Sequence, residues 1–195
     1  MPYRHVILDR DGVLNAEPPD AGYVHRPDDF HWLAGALDAL ALLHRAGVRI
    51  SVATNQSGIG RGLMSLGDLQ RVHDRMRTEA ASAGGPIDAI FFCPHAPDAH
   101  CACRKPEPGL IQAAIAASGI SAEETLVVGD DERDLEAAAR AGVAFALVRT
   151  GKGSGIAIGL GSRARGGARS VAVFDDLSAL AHDLAGRTPG AAKRT

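Results

Sequence analysis

The sequence predicts an α/β fold in which helices cover both faces of a parallel β-sheet. Short β-rich runs alternate with segments of helical periodicity, and this alternation is typical of a three-layer, doubly wound sheet. Polar residues follow three of the predicted strands directly, at the sheet edge where such folds bind ligands. With 195 residues, of which 46% are hydrophobic, the chain is long enough for one well-buried core and short for two.

Six segments are predicted to be strands, because each is a short, mainly apolar run bounded by turn or polar residues. In chain order they are residues 5–9, 48–54, 89–92, 125–129, 143–148 and 171–174. Parallel strands need crossover connections, and most of the intervening segments are long enough to hold a helix.

Five segments carry helical patterns with recognisable start or stop residues. Ser65 and Pro108 are suited to helix starts, whereas Gly47 and Gly142 are suited to left-handed C-terminal stops. The predicted helices are residues 35–46, about 66–83, 108–118, 132–141 and about 176–185.

Two segments are predicted to lack regular structure. Residues 151–167 contain seven glycines, whose ordering costs much chain entropy, so we expect a mobile loop. Residues 187–195 are expected to be a flexible tail after a single domain spanning residues 1–186.

Composition and charge limit which binding partners and which cellular compartment are expected for this protein. A net charge of −2 gives no electrostatic reason to expect nucleic acid or an anionic membrane as the main partner. The first residues do not resemble a secretory signal, and no apolar run approaches the roughly 18 residues of a membrane span. We therefore expect a cytoplasmic protein, and nothing in the sequence demands more than a monomer.

The first chemical motif is Asp9-Arg10-Asp11-Gly12, where a buried strand gives way to a turn. Two carboxylates two residues apart can place one side chain on a reacting centre while the other moves a proton. An Asp-Gly turn that merely reverses the chain is the alternative interpretation of this motif alone.

Two further strand ends make that alternative less favourable. The run Thr54-Asn55-Gln56 follows the second strand and Asp130 follows the fourth, so three strand ends converge on one crevice. The Thr54 hydroxyl and nearby N–H groups suit phosphate oxygens, and Asp130 adds a hard oxygen ligand for Mg²⁺ beside Asp9. Lys105 would balance the negative charge. Taken singly, Thr54-Asn55 or Asp130 could instead cap a helix.

A second cluster combines three cysteines with a histidine within eleven residues. Three thiolates and one imidazole form a closed tetrahedral zinc set, which is typical of a structural site. The four predicted ligands are Cys93, His95, Cys101 and Cys103. Free buried cysteines are the alternative, and His100 is a possible substitute ligand that we expect to point to solvent. Bound zinc would order the loop and fix Arg104 and Lys105 beside the crevice.

These motifs resemble, in order, the four motifs of the haloacid dehalogenase (HAD) superfamily: DxD, a Thr or Ser, a Lys, and GDxxxD. The resemblance implies that Asp9 is a nucleophile and Asp11 a general acid and then base, assisted by Thr54 and Lys105. It also implies Mg²⁺ bound by Asp9, the main-chain carbonyl of Asp11 and Asp130, with Asp134 nearby in support.

The predicted zinc loop, residues 93–103, and the run Cys103-Arg104-Lys105-Pro106 resemble one branch of that superfamily. It holds the D-glycero-D-manno-heptose-1,7-bisphosphate 7-phosphatases and their histidinol-phosphatase relatives. The resemblance implies a small phosphorylated metabolite as substrate, a minimal cap, and substrate binding by Asn55, Gln56 and Arg104. Arg104 would hold the non-reacting phosphate through its forked donors.

Two departures from the branch's pattern leave alternatives open. The zinc loop is short, as in histidinol-phosphatase domains, and Asp131 stands where a basic residue usually follows the motif-four aspartate. Histidinol-phosphate phosphatase activity is therefore the second hypothesis. A phospho-acceptor module that is phosphorylated at Asp9 without rapid turnover is the third, and Asp11 argues against it.

Overall fold

A computed structural model describes residues 3–18, 22–157 and 171–186 of the chain. Its centre is a six-stranded sheet in which every neighbouring pair is parallel. The strands are β1 (His5–Leu8), β2 (Arg49–Asn55), β3 (Ala89–Cys93), β4 (Thr125–Gly129), β5 (Ala144–Val148) and β6 (Ala172–Phe174).

The spatial strand order is β3-β2-β1-β4-β5-β6. The chain moves outward from β1 through β2 to β3 and then resumes on the other side of β1 at β4. This reversal creates a crevice at the carboxyl ends of β1 and β4, which is where doubly wound folds bind ligands.

Five helices connect or follow the strands in the described part of the chain. They are α1 (Ala36–Arg45), α2 (Leu66–Ser82), α3 (Gly109–Ser118), α4 (Glu132–Ala141) and α5 (Leu177–Gly186). Short 3₁₀ turns lie at Pro27–Asp29, Pro97–Ala99 and Ala122–Glu124.

Local sequence explains where two of these helices begin. The Ser65 hydroxyl accepts a hydrogen bond from Asp68 N (3.1 Å), and the Asp68 carboxylate accepts one in return from Ser65 N (2.8 Å). Asp131 caps α4 in the same reciprocal way with Asp134. Each cap satisfies backbone N–H groups that have no partner inside the helix.

Two separate apolar clusters show that the helices form two outer layers. Val6 and Leu8 of β1 pack with α1, α2 and α5, whereas Ile7 packs with α3 and α4. Successive strand residues point to opposite faces, so one strand supplies both clusters. The predicted three-layer α/β fold is confirmed, and the six strands and five helices lie within two residues of their predicted bounds.

The connections that could carry a cap domain are short. Between β1 and α1 the described residues contain one 3₁₀ turn, and ten residues separate β2 from α2. This agrees with the predicted minimal cap, and it leaves the crevice open to small molecules.

The loop predicted over residues 151–167 is partly wrong, because residues 153–157 form a helical turn in which Gly153 N and Ser154 N donate to Thr150 O and Arg149 O. Residues 158–167 and the predicted tail, 187–195, lie outside the described residues. In the described segments, no helix combines the length and hydrophobicity needed to span a bilayer.

Candidate active site and metal centres

Asp9 lies at the crevice because it directly follows β1. Its backbone N–H donates to Val128 O of β4 (2.9 Å), which extends the parallel pairing by one residue and places Asp9 between the two strands. Asp9 Oδ1 accepts a hydrogen bond from Arg10 N (2.7 Å) and forms an ion pair with Lys105 Nζ (2.9 Å). These two contacts hold Oδ1 of the Asp9 carboxylate in place.

Asp11 is held by side chains rather than by the sheet. Arg10 Nη2 donates to both Asp11 oxygens, at 2.8 and 3.0 Å, while Asn15 Nδ2 and Gln56 Nε2 each donate at 3.0 Å. Burial by itself raises the pKa of Asp11, but the Arg10 charge and these donors lower it below the ordinary value. In this arrangement the carboxylate is ionised and oriented.

Lys105 is buried, with 3% of its surface exposed, and within the described ranges its ammonium group has three partners. Nζ lies 2.9 Å from Asp9 Oδ1 and 2.5 Å from Asp134 Oδ1, and it donates to Ala53 O at 2.8 Å. Burial by itself lowers the pKa of Lys105, but Asp134 and Asp9 raise it above its ordinary value. The lysine is a permanent positive charge beside Asp9.

Three carboxylates meet at the crevice floor, since Asp9, Asp130 and Asp134 each place an oxygen within 4.8 Å of the others. Burial raises the pKa of Asp9 to about 7 and that of Asp130 to about 8, and nearby carboxylates contribute to both increases. Among the described residues, Lys105 pairs with Asp9 and Asp134 but forms no ion pair with Asp130. This excess of hard, anionic oxygen donors fits a divalent cation such as Mg²⁺.

Two glycines make room for the Asp130 carboxylate. A Cβ at Gly12 would lie 2.2 Å from Asp130 Oδ2, and a Cβ at Gly151 would lie 2.0 Å from the same atom. Both residues also have positive φ angles, +84° and +57°. Asp130 Oδ2 accepts a hydrogen bond from Lys152 N (2.9 Å), so the turn after β5 wraps closely around the carboxylate.

The Thr54–Gln56 segment forms the wall of the crevice at the end of β2. The Thr54 hydroxyl accepts a hydrogen bond from Gln56 Nε2 (2.9 Å), and the same amide nitrogen contacts Asp11. Asn55 bonds the backbone of Lys105 twice, with Nδ2 donating to Lys105 O and Oδ1 accepting from Lys105 N, both at 3.0 Å. Asn55 therefore positions the catalytic lysine candidate as well as lining the cavity.

The cavity around these groups has a volume of about 300 Å³. Asp9, Asp11 and Thr54 line its floor, and Arg104 lines it from the side of the zinc loop. All of the residues predicted from the sequence to be catalytic or substrate-binding border this one cavity. They are Asp9, Asp11, Thr54, Asn55, Gln56, Arg104 and Lys105.

The predicted zinc ligands also come together. Cys93, His95, Cys101 and Cys103 place their donor atoms within 4.8 Å of one another, and His95 Nδ1 lies 3.3 Å from Cys103 Sγ. The closest pair of sulfur atoms, in Cys93 and Cys103, is 3.2 Å apart, which is too far for a disulfide. One imidazole and three thiols fit a closed tetrahedral zinc site. His100 is exposed and lies outside the set, as predicted.

The zinc loop is joined to the crevice by backbone contacts. Cys93 O accepts a hydrogen bond from Gln56 N (2.8 Å), and Pro94 O accepts one from Gly60 N (2.8 Å). Arg104 and Lys105 follow Cys103 directly in the chain. The Cys/His loop is therefore connected directly to Arg104 and Lys105, two residues of the cavity wall.

Sequence reasoning missed two supporting residues. Arg10, 1% exposed, stands inside the motif Asp9-Arg10-Asp11-Gly12, and Asn15, fully buried, lies three residues after it; both bind Asp11. Asp134 joins the acidic cluster directly, whereas the Asp11 carboxylate does not. The resemblance to GDxxxD had already indicated Asp134 as a supporting residue of the metal site, and the structure places it on the first turn of α4.

Fold and site together define the chain as a hydrolase of the HAD type. A family model described as HAD-hydrolase-like matches residues 102–180. A curated relative from Pseudomonas putida, named D-glycero-beta-D-manno-heptose-1,7-bisphosphate 7-phosphatase, is 42% identical over 92% of this chain and 98% of its own length. The Bordetella bronchiseptica protein of the same name is 44% identical over 92% of this chain and 96% of its own length.

A solved structure agrees with these sequence relatives. The crystal structure of D,D-heptose 1,7-bisphosphate phosphatase from B. bronchiseptica, complexed with magnesium and phosphate, matches with a TM-score of 0.82 at 42% identity. The match covers 93% of this chain and 97% of that one. The chain belongs to the heptose-1,7-bisphosphate 7-phosphatase family of the HAD superfamily.

Proposed function

We propose that this protein is a magnesium-dependent phosphatase that removes the 7-phosphate of D-glycero-D-manno-heptose 1,7-bisphosphate through a phospho-aspartate at Asp9. The observation that carries the proposal is the meeting of Asp9, Asp130 and Asp134 with Lys105 at the crevice between β1 and β4. The family relatives supply the substrate, because they are named for this reaction. Their names specify the β anomer, which is therefore the first substrate to test.

We assign Mg²⁺ to the acidic cluster, with Asp9, Asp130 and the main-chain carbonyl of Asp11 as its protein ligands and Asp134 in support. When bound, the ion supplies positive charge where phosphoryl transfer concentrates negative charge. The magnesium and phosphate in the B. bronchiseptica structure support this assignment.

In this proposal the Asp9 carboxylate attacks phosphorus, and Lys105 neutralises charge on the transferring group. Lys105 is suited to that role because two carboxylates and Ala53 O hold its ammonium group in place. The Thr54 hydroxyl and the Gln56 amide would bind phosphate oxygens. Such fixed donors lower the barrier because they need no reorganisation during the reaction.

Asp11 is the proposed proton carrier. It gives a proton to the leaving sugar oxygen and then takes one from the water that attacks phospho-Asp9. The free site holds Asp11 ionised, which is the form needed for the second step. The negative charge of a bound phosphate favours the protonated form needed for the first step.

We assign structural Zn²⁺ to Cys93, His95, Cys101 and Cys103, and binding of the second phosphate to Arg104. The loop lies next to the crevice, and Arg104 Nη1 contacts His95 O at 3.5 Å, so zinc would fix the position from which Arg104 reaches the substrate. We further propose a cytoplasmic monomer with no nucleic-acid or membrane partner, on the basis of its balanced charge and its reduced cysteines.

The test is phosphate release by the purified protein with Mg²⁺, measured on three substrates: heptose 1,7-bisphosphate, histidinol phosphate and a generic phosphomonoester. We expect the bisphosphate to have the highest kcat/KM, one zinc per chain, and no activity after magnesium is chelated. A preference for histidinol phosphate would establish the second hypothesis instead. Stable phosphorylation of Asp9 without phosphate release would indicate a phospho-acceptor module.

A further inference from the structure

A second cavity adjoins the active-site cavity, and the residues that line both of them are basic. The inner cavity, about 300 Å³, contains Asp9, and the outer one, about 730 Å³, lies beside the zinc loop. Four residues line both cavities: Arg61, Arg104, Lys105 and Arg133. A molecule that extends from the inner to the outer cavity must pass these four cations.

Two of these cations have no neutralising partner in the described parts of the chain. Lys105 is paired with Asp9 and Asp134, as described above. Arg61 and Arg104, by contrast, have no carboxylate oxygen within 4.0 Å among residues 3–18, 22–157 and 171–186. Their charges are available to an anion in the cavities.

Arg133, unlike Arg61 and Arg104, is ion-paired: two of its guanidinium nitrogens donate to the two oxygens of the Asp131 carboxylate. Arg133 Nε lies 3.1 Å from Asp131 Oδ1, and Nη2 lies 2.6 Å from Oδ2. Asp131 is itself anchored as the N-cap of α4, directly after Asp130. The pair carries no net charge, but Asp131 fixes the orientation of the Arg133 guanidinium at the cavity boundary. Among the described residues no acceptor binds Arg133 Nη1, so this nitrogen can still donate to a ligand.

The Arg133–Asp131 pair also neutralises a carboxylate that lines the inner cavity. An unpaired carboxylate at Asp131, which lines the inner cavity, would repel a phosphorylated substrate. Arg133 neutralises that carboxylate directly, and Lys152 Nζ lies 3.7 Å from it. The negative charge of Asp131 is thus balanced by Arg133, two residues later in the chain.

We propose that Arg133 is a specificity-determining residue that, with Arg61 and Arg104, binds the non-reacting phosphate of a sugar bisphosphate at the boundary of the two cavities. This inference rests on the proposed phosphatase function. With one phosphate at Asp9, the sugar spans the inner cavity and its second phosphate meets the three arginines. The guanidinium groups bind phosphate through forked, charge-assisted hydrogen bonds.

The same arrangement disfavours the competing substrate class. Histidinol phosphate carries an ammonium group in place of a second phosphate, and the unpaired guanidinium groups of Arg61 and Arg104 repel it. Arg133 neutralises the Asp131 carboxylate, which would otherwise attract that ammonium group. Arg133 therefore acts both by attracting the bisphosphate and by excluding a cationic monophosphate.

The experiment compares heptose 1,7-bisphosphate with heptose 7-phosphate, which lacks the second phosphate. Arg133→Gln is expected to lower kcat/KM for the bisphosphate by about ten- to a hundredfold, mainly through KM, as for a lost charged hydrogen bond. For the monophosphate we expect a decrease of less than about threefold. Arg133→Lys, which keeps the charge but not the fork, should lie between wild type and Arg133→Gln on the bisphosphate.

Arg71→Gln is the matched control, because Arg71 also pairs with an aspartate at the start of a helix, Asp68, but does not line either cavity. It should leave both substrates unaffected. Equal losses on the two substrates, or no loss for Arg133→Gln, would overturn the role of Arg133 while leaving the phosphatase function intact.

Binding in an Asp9→Asn background separates the inference from the proposed function. Calorimetry should show that Arg133→Gln weakens binding of the bisphosphate much more than binding of the monophosphate. If wild type released no phosphate from either sugar but this difference in binding persisted, the phosphatase proposal would fail and the anion site would stand. Absence of the difference would refute the anion site.

Discussion

Arg10 is buried beside Asp11 and donates to both oxygens of its carboxylate through Nη2, at 2.8 and 3.0 Å. The arginine occupies the middle position of the Asp-x-Asp motif, where its charge fixes the proposed proton carrier in one orientation. Asn15 and Gln56 complete the set of donors from two other segments.

Replacing Arg10 should reduce turnover more than substrate affinity. We expect Arg10→Met, which keeps the approximate length without the charge, to lower kcat at least about tenfold because Asp11 loses its orientation. Arg10→Lys should retain more activity. Steady-state kinetics and thermal unfolding should be measured together, and a stable Arg10→Met protein with normal kcat would contradict this role.

Loss of the proton carrier should be more severe. Asp11→Asn keeps the shape and can still bind Gln56, but it can neither give nor take a proton, so turnover should slow by at least about a hundredfold. Magnesium binding should change little, because the Asp11 carboxylate lies outside the acidic cluster. Near-normal activity in this variant would exclude Asp11 as the acid and base.

The close approach of Gly12 to Asp130 offers a test of the metal site. In Gly12→Ala the new Cβ would lie 2.2 Å from Asp130 Oδ2, so the carboxylate must move and Mg²⁺ should bind more weakly. Gly47→Ala is the matched control, since Gly47 has a similar φ of +77° but no atom within 4 Å of the added Cβ. The control should lose about 1–2 kcal/mol of stability and keep its magnesium affinity and activity. Equal magnesium affinity in both variants would argue against the proposed site.

Zinc removal should affect both stability and catalysis. Cys103→Ser should lower the zinc content and the unfolding temperature, and kcat/KM should fall because Arg104 and Lys105 follow this ligand directly. His100→Asn is the control, because His100 neighbours the ligands but lies outside the cluster, and Asn tolerates its φ of +47°. Metal analysis and activity on the same samples would settle the point, and a zinc-free yet fully active Cys103→Ser protein would argue against coupling.

A buried histidine should oppose folding in mild acid, with the opposite sign to Asp9 and Asp130, whose raised pKa values favour folding there. Burial, with a smaller contribution from Arg49, lowers the pKa of His5 to about 4 in the folded protein, whereas an unfolded histidine titrates near pH ~6.5. Above that pH both states are neutral and His5 has no effect. Between pH ~6.5 and ~4 only the unfolded chain takes up this proton, so the contribution of His5 to the free energy of unfolding should decrease by as much as about 3 kcal/mol.

Denaturant unfolding at a series of pH values would measure this decrease. His5→Asn should reduce the slope below pH ~6.5, although burial also lowers the pKa of His73, to about 3, so some dependence should remain. His44→Asn, at an exposed position on α1, should keep the wild-type slope. An unchanged slope in His5→Asn would contradict the assignment.

Much of the fold could be predicted because its signals are local. Alternating strand and helix patterns, the Ser65 cap and the glycine stops depend on a few neighbouring residues, and all six strands and five helices were found near their predicted bounds. The helical turn at residues 153–157 was missed for two reasons. Two glycines and a serine among its five residues favour a loop locally, and its hydrogen bonds to Arg149 O and Thr150 O are not visible as a sequence pattern.

By itself, the sequence determined the fold class, the strand ends that carry the chemistry, and the four-residue zinc set, since each of these follows from residue type and short spacing. Only the tertiary structure decided which groups touch: Asp134 joins Asp9 and Asp130, while Asp11 turns to Arg10 and Gln56. It also brought Arg133 to the boundary of the two cavities. Arg10 and Asp11 are neighbours in the chain, but the contacts of Asp9 with Asp130 and of Asp11 with Gln56 join distant residues. Those contacts depend on strand register and helix packing, which no local pattern encodes.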